Sequence, residues 1–101
     1  MKVHVRDTGV SGCLIDEENG AVNGFCIGVS YYSDACYGEP GVHDDQEGFY
    51  VLDGNGMARV GSEEFPVAPG TVFIAGKGVP HSVKRDTESG PVKVLWMHGA
   101  V

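Results

Sequence analysis

Basic residues are scarce in this 101-residue chain: seven Lys+Arg stand against 14 Asp+Glu, a formal net charge of −7. No positive cluster interrupts that balance, so a phosphate backbone finds little to grip and nucleic acid is not an expected partner. Long apolar runs are missing as well. No stretch approaches the roughly 20 residues that a membrane-spanning helix needs, and the start, Met1 to Arg6, lacks the apolar centre of a secretion signal. The expectation is a soluble, cytoplasmic protein with no membrane partner. Cysteine is also sparse. Cys13, Cys26 and Cys36 are odd in number, irregularly spaced and without a Cys-x-x-Cys pair, which argues against a disulfide framework and against a structural zinc site. They are read as reduced, partly buried thiols.

The length allows one hydrophobic core and leaves no room for a second, so residues 1–101 are read as a single domain. A core this small gains from barrel closure, a bound ion or a partner subunit, and a homodimer is the expected assembly.

What the chain does have is punctuation. Sixteen glycines and five prolines are spread along it, separating short runs rich in Val, Ile, Phe and Tyr, the pattern of strands and turns. Strands are expected at Lys2 to Arg6, Phe25 to Tyr32, Gly48 to Leu52, Met57 to Val60, Phe65 to Ala68, Thr71 to Ala75, His81 to Arg85 and Val92 to His98. Cys13 to Ile15 is read as a further short strand and Asp16 to Gly20 as a loop tip. No helical period competes. Asp53-Gly54-Asn55-Gly56 reads as a tight hairpin turn that would pair Phe49–Leu52 with Met57–Val60. A second hairpin is expected around Gly61 to Glu64, a turn at Pro69-Gly70, and a connection from Asp86 to Pro91. Strands of this number, joined by hairpins and without βα alternation, make an all-β sandwich or barrel.

The informative segment runs from Gly41 to Gly54 and is answered downstream by Pro69-Gly70 and Val79-Pro80-His81. Side chains alternate along a strand, so His43 and Glu47 share a face if the segment is extended, and Phe49 and Val51 continue that face as an apolar floor. Two polar groups beside such a floor are costly to bury alone, and a metal ion satisfies both. His81 supplies another imidazole from a distant strand. Two imidazoles and a carboxylate form a mixed nitrogen and oxygen set suited to iron, manganese, nickel, copper or zinc. Asp44 and Asp45 read most simply as a solvated turn. Asp45, which shares the parity of His43 and Glu47, is also a pocket candidate, as are His98, Tyr50 and Trp96, with Tyr31 a further stacking surface; Cys36 is a weaker candidate ligand.

These residues resemble the cupin superfamily. Its first motif combines His-x-His, a short spacer, Glu, and a glycine seven positions later, often inside a Tyr-Val-Leu-x-Gly string; Glu47, Gly54 and Tyr50-Val51-Leu52-Asp53-Gly54 match it. Its second motif is matched by Pro69-Gly70 and Val79-Pro80-His81. The resemblance implies a double-stranded β-helix, or jelly-roll barrel, with His43, Glu47 and His81 as three of four usual ligands. The position of the first histidine is Gly41, leaving that ligand vacant.

Two functional classes follow. A metalloenzyme, with oxygenase or isomerase chemistry on a small molecule, would use the open coordination positions, with Asp45 or His98 moving protons. A metal-free barrel would bind a sugar or small acid without converting it. No serine or cysteine nucleophile is evident, and no repetitive segment supports a storage role.

Overall fold

The computed structural model describes residues 12–99; the strand expected at Lys2 to Arg6 lies outside them. Eight strands follow in order: β1 (Gly12–Ile15), β2 (Cys26–Tyr32), β3 (Gln46–Asp53), β4 (Gly56–Val60), β5 (Glu63–Val67), β6 (Val72–Ala75), β7 (His81–Arg85) and β8 (Val92–Gly99). Between β1 and β2 a single 3-10 turn, Glu17–Asn19, is capped by Asp16, whose side chain accepts from the Glu18 amide.

All strand pairings are antiparallel and divide into a five-stranded sheet, β1-β2-β8-β3-β6, and a three-stranded sheet, β5-β4-β7. The inner faces meet over one apolar cluster: Phe49, Val51, Ala75, Val92 and Val94 from the larger sheet, Ala58, Val67 and Val83 from the smaller. Val51, Val92 and Val94 are fully buried, and each such valine contributes about 1.5–3 kcal/mol relative to exposure. The alternation expected of β3 holds, with Glu47, Phe49 and Val51 inward and Gln46, Tyr50 and Leu52 outward.

One expected pairing is corrected. Phe49–Leu52 and Met57–Val60 do not form a hairpin, because both edges of β3 are taken by β6 and β8 while β4 pairs with β5 and β7. The Asp53-Gly54-Asn55-Gly56 string is instead a corner that carries the chain from one sheet to the other. Gly54 has φ +85°, and a Cβ at either Gly54 or Gly56 would collide with the backbone of Pro91 or Lys84, so glycine serves a close crossing rather than a two-residue turn. The hairpin between β4 and β5, the turn at Pro69-Gly70 and the connection after Asp86 fall where expected.

Candidate metal centre

Two loops at one end of the barrel are laced by backbone hydrogen bonds. Gly41 and His81 exchange both of theirs, at 2.9 and 3.0 Å, and the Gly78 amide donates to the His43 carbonyl at 2.9 Å. The first pair joins the connection before β3 to the start of β7; the second holds the His43 backbone, which lies ahead of β3 and not on a strand. A bend at Asp44 and Asp45 replaces the continuous extended segment, yet His43 still turns back toward Glu47.

His43 Nε2 lies 2.9 Å from Glu47 Oε1 and His81 Nε2 lies 3.3 Å from the same oxygen. Despite both approaches, Oε1 is buried and makes no hydrogen bond. The His81 contact is therefore an ion-pair approach rather than an aligned hydrogen bond. On the far side of the ring, His81 Nδ1 is 3.3 Å from the Val79 carbonyl. The Val79 carbonyl and the Glu47 carboxylate both only accept, so these surroundings favour a ring protonated on both nitrogens. The neighbouring Glu47 carboxylate holds the His81 pKa above the ordinary histidine value, while burial pulls the other way. Phe49 presents an edge-on contact to the His81 ring, with centroids 5.2 Å apart. One ligand atom from each of His43, Glu47 and His81 can be chosen so that all lie within 4.8 Å of one another.

The other candidates divide. His98 and Trp96, both on β8, border the cavity above this cluster. Asp45 corrects the reading of a solvated turn: its side chain is 11% exposed and Oδ2 lies 2.8 Å from His98 Nδ1. Tyr50 is corrected outright. Between the buried Phe49 and Val51 it must face out, and it is 44% exposed on the outer surface of the sheet. Tyr31 borders the cavity, but its ring pairs with Lys93, whose Nζ is 5.6 Å from the ring centroid. Cys36 is an exposed thiol on the cavity wall, outside the His43–Glu47–His81 group.

Sequence reasoning missed Cys26, whose Sγ lies 3.1 Å from His98 Nε2. Its signal was present in the β2 alternation, but only the register that sets Cys26 opposite His98 reveals the contact. That thiol is pushed above its ordinary pKa, chiefly by burial.

The cavity holds about 460 Å³ and is walled by His43, Glu47, His81, Trp96, Tyr32 and Ser30, with Asp34 and Glu39 also on its lining. An ion fits this donor set. Two imidazoles and a carboxylate suit a divalent transition metal, and the orphaned Oε1 is the group such an ion would satisfy. At Gly41, an added Cβ would lie 2.9 Å from His81 Nε2. Position 41 therefore aims at the cluster, as the vacant ligand position should.

The cupin domain family model matches residues 31–98. This chain belongs to the cupin family. Solved structures agree on the jelly-roll barrel. The TT1209 protein from Thermus thermophilus is 21% identical, with 92% of this chain and 86% of that one covered at a TM-score of 0.68. A cupin protein from Bacteroides fragilis is 13% identical over 98% of this chain and 82% of its own, with a TM-score of 0.77. The cupin domain of Schizosaccharomyces pombe Cnp3 is 20% identical, covers 88% and 59% of the respective chains, and has a TM-score of 0.72. No curated protein sequence matches the chain. Among the described residues, no helix is long and apolar enough to cross a membrane.

Proposed function

We propose that this cupin binds a divalent transition-metal ion through His43, Glu47 and His81 and presents it to a small molecule entering the cavity. The observation that carries the reading is Glu47 Oε1, buried without a hydrogen bond while two imidazole nitrogens approach it at 2.9 and 3.3 Å. An unpaired carboxylate oxygen in such a place costs about 1–3 kcal/mol or more, a cost that an ion removes. A bound ion would supply Lewis acidity and open coordination positions, which suit oxygenase or isomerase chemistry. Glu47 and the two histidines would hold it, Gly41 would leave one approach unobstructed, and the Trp96 and Tyr32 walls would hold the ligand away from bulk water.

The lining favours one side of the choice between sugar and small acid. Asp34, Glu39 and Glu47 place carboxylates on it, and no Lys or Arg among the described residues joins them. Of the two cations that follow the wall residue Val83, Lys84 places its Nζ 4.7 Å from the Tyr37 ring centroid, and Arg85 gives its guanidinium to the carbonyls of Ser33, Asp86, Thr87 and Ser89. A neutral, hydroxyl-bearing molecule meets less repulsion there than a carboxylate that does not reach the ion.

A second reading keeps the barrel metal-free. The same contacts are ion pairs whenever the histidines are protonated, and the cavity then binds without converting. Elemental analysis of the purified, tag-free protein by plasma mass spectrometry separates the two. Near-stoichiometric iron, manganese, nickel, copper or zinc is expected and names the metal; none, even after reconstitution, leaves the binding barrel.

Assembly as a homodimer belongs to the same proposal. The outer face of the larger sheet exposes Tyr50, Leu52, Val72 and Ile74 next to one another on β3 and β6, an apolar surface of the kind that a partner subunit covers.

A further inference from the structure

We propose that His98 is a positioning residue: its ring, locked by Asp45 and Cys26, serves as the platform that fixes the His43 imidazole, and through it the metal site on which the preceding proposal rests. His43 needs such a support. It lies on no strand, its side chain is 39% exposed, its backbone carbonyl is tied to the Gly78 amide, and its ring reaches Glu47 through Nε2 alone, at 2.9 Å, which leaves the plane of the ring to be set by packing. A histidine on an exposed loop samples several rotamers unless packing removes them.

The packing comes from two rings. His43 stacks on His98, with centroids 5.0 Å apart and planes at 18°, and meets His81 at 5.3 Å and 32°. His81 is another member of the proposed site, so His98 is the ring support from outside it. His98 is itself held at both ends. Nδ1 lies 2.8 Å from Asp45 Oδ2 and Nε2 lies 3.1 Å from Cys26 Sγ. A carboxylate accepts, so Nδ1 carries the proton, and the thiol then donates to Nε2. Trp96 adds a further ring contact at 5.3 Å. Both nitrogens being engaged, His98 has no free lone pair to offer an ion, which explains why it stands beside the His43–Glu47–His81 group and not within it. Groups that only orient a ligand of this kind are worth roughly 10–100-fold in metal affinity.

The test compares His98→Ala, which removes the platform, with His98→Phe, which keeps an aromatic face and loses both hydrogen bonds. Zinc affinity is measured by competition with a chromophoric chelator, and the His43 ring protons are followed by NMR in the metal-free protein, with the β3–β8 amide signals reporting an intact sheet. Expected for His98→Ala is a loss of about 10–100-fold in zinc affinity together with loss of the ring-current displacement of the His43 protons. His98→Phe should recover most of both. Unchanged zinc affinity and unchanged His43 signals in His98→Ala overturn the inference, as does a Phe variant no better than Ala. If the wild-type protein takes up neither zinc nor iron, manganese, nickel or copper, the metal reading fails, while the His43 signals still decide whether His98 fixes that ring. If the β3–β8 signals are lost in both variants, His98 is holding the sheet rather than one side chain, and the inference is overturned.

Discussion

Replacing Glu47 by glutamine should raise the stability of the metal-free protein and shrink the stabilisation that metal adds. Without metal, the wild-type site contains a buried carboxylate with Oε1 unpaired beside two imidazole nitrogens. Glutamine keeps the shape, removes the charge, and offers an amide N–H to nitrogens that then act as acceptors. Relief of about 1–3 kcal/mol, at roughly 4–8 °C per kcal/mol for a domain of this size, predicts a variant that melts several degrees higher than wild type. Zinc at about 100 times the wild-type Kd stabilises the wild type by about 2.7 kcal/mol, or roughly 10–20 °C on the same scale. Loss of an anionic ligand weakens binding by at least the ~10–100-fold typical of groups that merely orient one. At the upper end of that range the variant sits near its own Kd and gains only about 0.4 kcal/mol. The assay is thermal unfolding by circular dichroism at pH 8, each protein with EDTA and with zinc. Glu47→Gln should lead in EDTA and gain much less from zinc than wild type does. A variant that melts well below wild type in EDTA would show that Glu47 is structurally satisfied as it stands, and an equal zinc shift in both proteins would remove it from the site.

The pH dependence of the metal-free protein carries its own sign. His81 is held above its ordinary value, chiefly by Glu47, so its contribution is full below an unfolded value near ~6.5 and is lost as pH rises through the higher folded value. Urea unfolding in EDTA should therefore show stability falling from pH 6 upward through the neutral range, and Glu47→Gln should flatten that slope. For assembly, Tyr50→Glu with Ile74→Glu should convert a dimer to a folded monomer in sedimentation velocity; a wild-type protein that already sediments as a monomer removes that reading.

Much of the site was legible because its residues lie on alternating strands. Glu47, Phe49 and Val51 face inward for the reason that period-2 alternation gives, and Tyr50 faces outward for the same reason; placing Tyr50 in the pocket ignored that rule. The Asp53–Gly56 corner was misread because glycine-rich strings serve tight hairpins and sheet crossings alike, and only the pairing of β3 with β6 and β8 decides between them. Asp45 shows a different limit. Solvated turns and buried carboxylates share a composition, and what buries Asp45 is His98, 53 residues away in sequence. Cys26 was hidden for the same reason, since its meaning depends on cross-strand register with the same histidine.

Gly41 turns the vacant ligand position into a quantitative prediction. Gly41 is not among the positive-φ glycines, so alanine costs its backbone nothing and acts only through its methyl group. That methyl would lie 2.9 Å from His81 Nε2, 3.4 Å from Cε1 and 3.6 Å from Cδ2. The first distance is shorter than van der Waals contact allows, so the imidazole must give by several tenths of an ångström. His81 has little freedom to do so, with its backbone paired to Gly41 on both sides, Nδ1 near the Val79 carbonyl and Phe49 against the ring. Metal–ligand distances tolerate only about ±0.2 Å, so Gly41→Ala should bind zinc at least ~10-fold more weakly, the lower bound for a displaced ligand. Its melting temperature in EDTA should change far less than its zinc-bound one, because the strain falls on one side-chain nitrogen and the core is untouched. Wild-type zinc affinity in Gly41→Ala would mean that the ion does not use His81 Nε2, and the assignment of His81 would have to be abandoned.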